Sequence, residues 1–144
     1  MNQITDRLWI SDISTVRQQS VPTDAVVTVC QDSVEDNVGC YYHHFNMADG
    51  EIDIYGGDCS YELFEEAVDT VVWHVESGRS VLVHCHAGMS RSAAVCIAVV
   101  GAVEEMHYAD AYDTVAEARP MIDPNAVLVG HVHEYLGTWS DLGA

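Results

Sequence analysis

Apolar and polar positions along the chain change period several times, and each change marks an element. "ITDRLWIS" predicts a short strand, and "DISTVRQQS" a brief helix with Asp12 or Ser14 as candidate N-cap. "DAVVTVC", Asp24 to Cys30, is a β-branched run suited to a strand buried on both faces, and "CYYHHFNM", Cys40 to Met47, reads as an aromatic-rich strand. The Gly and Asp content of "ADGEIDIYGGDCS" makes it a loop. From Tyr61 the period becomes helical: Leu63, Phe64, Ala67, Val68, Val71, Val72 and Val75 form one stripe, acids occupy the other face, and Gly78 marks the end.

"SVLVH" then suits a central buried strand, and "SAAVCIAVVGAV" is apolar all round, which predicts a helix sheathed by the rest of the domain. "YADAYDTVAEARP" and "NAVLVGHVHEYLGTW" are amphipathic helices separated by Pro120 and Pro124. Strands alternating with helices, followed by a helical C-terminal third, predict an α/β fold: a central, largely parallel sheet flanked by helices. Ligands of such sheets sit beyond the carboxyl ends of the strands, where residues 85 to 91 fall.

The chain has 144 residues, 49% hydrophobic, and is expected to fold as one domain over 1–144. "MNQITDRLWISD" brings an acid and a base before any apolar stretch, and the longest apolar run, Ala93 to Val103, is too short for a bilayer, so a soluble, unexported protein is expected. Five cysteines without a CxxC pair predict reduced thiols in a cytoplasm. Cys30, Cys40, Cys59 and Cys96 read as small buried hydrophobes, and His43, His44, His131 and His133 as surface or partly packed side chains.

Charge alters the picture of partners and milieu. Twenty-three acids face five arginines and no lysine, a formal charge of -18 spread along the chain. Such a surface repels nucleic acid and anionic membranes, so neither is expected as a partner. Its self-repulsion weakens at molar salt, where the Debye length falls to about 3 Å. Acid excess with lysine depletion resembles a halophilic, haloarchaeal cytoplasmic protein.

"VLVHCHAGMSRSAAVCIAVV" places a thiol and a guanidinium on the junction between a strand and a helix. Amides of a turn that lack strand or helix partners, together with a helix N-terminus, make a concave anion site that fits a tetrahedral oxyanion. Gly88 permits a conformation other residues resist, Ala87 keeps the approach open, and Arg91 can grip two oxygens at once. The same dipoles and guanidinium favour the thiolate of Cys85 at the base of the cradle, the form in which sulfur is a nucleophile. Ser92 is near enough in sequence to donate a hydrogen bond to that thiolate when it leaves. His84 is expected to orient the loop. His84 and His86 flank Cys85 on opposite faces without a further ligand nearby, so no metal is expected.

"HCHAGMSRS" matches the H-C-x5-R-S/T signature of cysteine-dependent protein tyrosine phosphatases, and "VLVHCHAGMSRSAAV" resembles the dual-specificity protein phosphatase subgroup. "ITDRLWISD" is similar to that family's opening strand, "FNMAD" to the segment carrying its general acid, and "DAYDTVAEARPMIDPN" to its late helix and turn. The resemblance implies a phosphatase-like fold and hydrolysis of phosphotyrosine, with phosphoserine and phosphothreonine, through a cysteinyl-phosphate. Cys85 would be the nucleophile, and Ser92 would aid its departure. The loop His86, Ala87, Gly88, Met89, Ser90 and Arg91 would hold the phosphate, and an aspartate would act as acid and then base. Asp49 matches the family position if "IYGGD" is an insertion; Asp53 fits the shorter interval without one, and Asp58 lies in the same loop. The implied partners are phosphorylated proteins or peptides, with no cofactor; the sequence does not give the oligomeric state, and a monomer is expected. The competing readings are a phosphate-binding pseudophosphatase and a phosphatase of non-protein phosphoesters.

Overall fold

The computed structural model describes residues 1–38, 41–50 and 56–139. Its five-stranded sheet comprises β1 (Asn2–Thr5), β2 (Leu8–Ser11), β3 (Ala25–Thr28), β4 (Tyr41–His44) and β5 (Val81–His84), in the order β1-β2-β5-β3-β4. Helices α1 (Ile13–Gln18), α2 (Tyr61–Glu76), α3 (Arg91–Val103), α4 (Tyr108–Ala118) and α5 (Ala126–Leu136) complete the fold, with a short 3-10 turn at Glu35–Asn37. The fold is the expected α/β arrangement. Pairs β2/β5, β5/β3 and β3/β4 are parallel, whereas β1/β2 is antiparallel. "ITDRLWIS" is therefore no single strand: the chain reverses at Asp6 and Arg7, and its two arms pair as a hairpin at the edge.

The hydrophobic runs explain the layering. Strands β3 and β5 are buried at every position and occupy the sheet's centre, as their unbroken β-branched character demands. The apolar stripe of α2 puts Phe64, Ala67, Val68 and Val71 into the core. Buried from Ser92 to Gly101, α3 has β-strands on one side and α2, α4 and α5 on others. Gly101 allows the closest approach, since a Cβ there would lie 2.6 Å from Leu136 Cδ1. Helix ends follow their caps: Asp12 accepts from Thr15 N–H, Ser60 from Leu63 N–H and Asn125 from Val127 N–H. Gly78 (φ +87°) lies just beyond α2.

Of the four histidines expected to be surface or partly packed, His43, His44 and His131 are so and His133 departs. His133 is buried, with Nδ1 2.8 Å from Thr138 Oγ1, and Nε2 of the partly buried His131 lies 2.7 Å from Cys59 O. Buried His74 receives Arg79 Nε–H on Nδ1 at 2.7 Å, which leaves its proton on Nε2, 2.8 Å from His43 Nε2. Burial lowers the pKa of both rings, and for His74 the neighbouring His43 and Arg79 add to it. Cys30 and Cys96 are buried as expected, Cys59 is only partly so, and Cys40 lies outside the described residues. Among the described residues no helix is long and apolar enough to cross a membrane.

Candidate active site

The site begins where β5 ends. Residues 85 to 90 turn the chain from β5 into α3, and each carbonyl from Cys85 to Ser90 meets a donor outside the loop. His84 Nδ1 lies 3.1 Å from Cys85 O; Ile13 N–H donates to His86 O at 3.0 Å. Arg119 donates to Ala87 O and Gly88 O, Asp123 N–H to Met89 O, and Ala94 N–H to Ser90 O. In a trans peptide the following N–H points opposite to the carbonyl. Fastening the carbonyls outside therefore turns the amides toward the interior of the loop, where they meet the N-terminus of α3. Ser90 caps that helix without accepting from its first amides. The result is a nest of positive dipole ends with the geometry an oxyanion needs.

Cys85 sits at the base, buried, its Sγ 3.1 Å from Ser92 Oγ. Burial pushes the thiols of Cys30 and Cys96 up, so they stay protonated at neutral pH. Arg91, the first residue of α3, is held by Nη1 donating to Gln31 Oε1 (3.2 Å) and Met47 O (3.1 Å). Its Nε is buried and has no hydrogen-bond partner among the described residues. An unmet buried donor of this kind is costly, and an oxyanion in the cradle would satisfy it.

Beneath the loop, His84 is buried and its pKa is pushed down to about 4, by burial above all, although its bond to Cys85 O works the other way. A neutral ring giving Nδ1–H to a carbonyl must accept at Nε2, so Thr28 O–H, 2.6 Å away, is the donor. Thr28 Oγ1 in turn accepts from Tyr42 O–H at 2.7 Å, and Tyr42 accepts from Val34 N–H at 3.0 Å. This chain of directed bonds orients the imidazole, and with it the first carbonyl of the loop.

Asp49 stands at the rim. Its carboxylate accepts from Ser90 Oγ, and its backbone carbonyl from Asn125 Nδ2 at 3.0 Å, while Asn125 N–H donates to Ser90 Oγ at 2.9 Å. The base of its loop is pinned by Ala48 N–H to Asp58 O and Asp58 N–H to Asn46 O. Asp58 itself is engaged elsewhere: hydrogen bonds from the Ser60 hydroxyl and amide hold its carboxyl below the usual range. Asp53 lies outside the described residues.

Residues 12–137 match the family described as "Dual specificity phosphatase, catalytic domain". The chain belongs to this family. Human dual specificity protein phosphatase 2 is 38% identical over 72 residues, covering 50% of this chain and 23% of that protein. Dual specificity protein phosphatase 1-A of Xenopus laevis is 35% identical over 72 residues, 50% of this chain and 20% of its own. The matched stretch thus spans about a quarter or less of these relatives. In structure the chain is similar to human DUSP28, with TM-score 0.80 and 20% identity over 99% of each chain. It is also similar to human tyrosine phosphatase-like serine/threonine/tyrosine-interacting protein, with TM-score 0.75 and 24% identity over 97% of each. At these identities the likeness is one of fold.

The fold brings together Cys85, Arg91, Ser92 and the loop from His86 to Ser90, with Asp49 tied to that loop through Ser90. His86 points outward to Asp32, 3.6 Å away, while His84 points inward to Thr28, so the two rings do not converge. Met89 is exposed. Sequence reasoning missed Arg119, Gln31, Asn125, and the Tyr42–Thr28 chain. Of these, only Asn125 and Arg119 lay in a segment already recognised as family-like, "ARPMIDPN".

Proposed function

We propose that the domain hydrolyses phosphotyrosine, phosphoserine and phosphothreonine in proteins through a cysteinyl-phosphate intermediate. The observation that carries this reading is the inward-facing amide nest with a thiol at its base and the unmet Nε of Arg91 at its wall. The thiolate of Cys85 attacks phosphorus in line; the S–P bond forms as the bond to the leaving oxygen breaks. Loop amides and Arg91 bear the charge on the equatorial oxygens. Asp49 gives its proton to the leaving oxygen, then as carboxylate takes one from the water that attacks phosphorus. The P–S bond breaks, and Ser92 O–H stabilises the sulfur as it leaves. No metal or organic cofactor enters these steps.

The cleft's rim favours protein substrates over polyanionic ones. Asp32, Asp49 and Asp123 surround the loop, so a second phosphate on the same substrate meets like charge. We further read the domain, 1–144, as a monomeric unit of a halophilic, haloarchaeal cytoplasm, from its charge of -18 and its lack of lysine. The test is hydrolysis of para-nitrophenyl phosphate in molar KCl with EDTA. Turnover should survive the chelator, vanish in Cys85→Ser, and fall by about a hundred-fold or more in Arg91→Ala and Asp49→Asn. A folded parent that binds phosphopeptide without turnover would leave a binding module instead.

A further inference from the structure

Arg119 follows α4 and is only 7% exposed, unusual for an arginine. It contacts the loop from behind: Nε donates to Gly88 O at 2.8 Å and Nη2 to Ala87 O at 3.0 Å. The rest of the guanidinium is tied to β1 and to the N-cap of α1, with Nη1 donating to Asn2 Oδ1 at 2.6 Å and Nη2 lying 3.4 Å from Asp12 Oδ2. Although burial opposes it, the bonds from Thr15, followed by Arg119, hold the Asp12 carboxyl below its usual range and so keep it charged. The buried cation is therefore paired.

Other loop carbonyls are met by backbone amides or by the adjacent imidazole. Ala87 O and Gly88 O, at the apex, take no backbone donor among the described residues. One planar fork spans both, and by the trans geometry of the peptide it turns the amides of Gly88 and Met89 inward. Gly88 is fitted to this contact: it has φ +70°, and a Cβ there would lie 2.9 Å from Arg119 Nε and 2.8 Å from Ser11 O.

We propose that Arg119 is a positioning residue for the oxyanion cradle, setting two of its amides from behind without touching substrate. The inference rests on the phosphoester reading only in taking the ligand to be a tetrahedral oxyanion. A lysine, a point donor, would span one carbonyl well and not both.

The test compares the parent with Arg119→Met, Arg119→Lys and Asp12→Asn in molar KCl, well below their melting temperatures and with fold checked by circular dichroism. Tungstate affinity is measured by calorimetry, together with the rate of Cys85 alkylation by iodoacetamide at pH 7. Neither readout requires turnover, so an inactive parent leaves the test intact. Arg119→Met should weaken tungstate binding and slow alkylation, each by about ten-fold or more, and lower kcat/KM by about a hundred-fold. Arg119→Lys should recover part of each loss, and Asp12→Asn should show a smaller loss in the same direction. If Arg119→Met does not fold, Arg119→Lys carries the comparison. Tungstate affinity and alkylation within about two-fold of the parent in a folded Arg119 variant, even one with a lowered melting temperature, would reduce Arg119 to a structural role and overturn the proposal.

Discussion

Ser92 Oγ lies 3.1 Å from Cys85 Sγ, inside the first turn of α3, where both side chains are buried. A hydroxyl so placed donates most strongly to sulfur that carries charge, and in the proposed cycle that charge returns when the P–S bond breaks.

Ser92→Ala should therefore slow the second step more than the first. A hydrogen bond to a charged group contributes about 1.5–3 kcal/mol, so kcat should fall by about ten- to a hundred-fold. KM should fall with it as phosphoenzyme accumulates. Rapid-quench measurement should show a burst of the first product in the variant; slow turnover without a burst would place the role of Ser92 elsewhere.

Gly88→Ala should damage stability and turnover together. The residue sits at φ +70°, and its Cβ would meet Ser11 O at 2.8 Å. The left-handed conformation alone costs about 1–2 kcal/mol for an L side chain, and relief of the contact displaces the loop. We expect a lower thermal midpoint and a loss of about a hundred-fold in kcat/KM. An alanine variant with parental turnover would show that the loop tolerates the displacement.

Stability should decline as pH falls from about 6.5 toward 4. The unfolded chain protonates His84 near its usual 6.5, whereas the folded chain resists until about 4. The folded state loses ground between these values by about 3 kcal/mol in all, and the loss levels off below them. His43 and His74, also lowered, steepen the same window. Asp12, Asp24 and Asp58 lie below 3.8 and do not titrate between pH 5 and 6.5. Urea midpoints at pH 7.5, 6 and 5 in molar KCl, where self-repulsion is screened, should show the decline. His84→Asn should reduce the slope by about 1 kcal/mol per pH unit. An unchanged slope would mean that His84 is not the group titrating.

Thiol labelling should discriminate among the cysteines. At pH 7 iodoacetamide should modify Cys85 at least about ten-fold faster than Cys30 or Cys96, and phosphate should protect it. In urea the distinction should disappear. Peptide mapping by mass spectrometry reads this directly, and equal labelling in the folded protein would contradict an activated Cys85.

The sequence by itself determined the β5–loop–α3 unit, the buried central strands, α2 and α3, and the candidacy of Cys85, Arg91 and Ser92. All of these depend on neighbours in the chain: a switch from strand to helix period, a glycine in the turn, a cap residue. Alternation could not show that "ITDRLWIS" folds back into a hairpin, because both arms keep a strand-like pattern through the reversal. Spacing alone left Asp49, Asp53 and Asp58 as candidates; Asp49 meets Ser90 of the loop and Asp58 meets Ser60, while Asp53 lies outside the described residues. Only the tertiary structure decided what lies behind the loop. Arg119 reaches Gly88 across 31 residues and Asn2 across 117, and Tyr42 reaches Thr28 from the adjacent strand. Such contacts follow from the order of strands in the sheet and the packing of helices against it. A local pattern constrains where a side chain points on its own element, but it holds no information about which distant group meets it there.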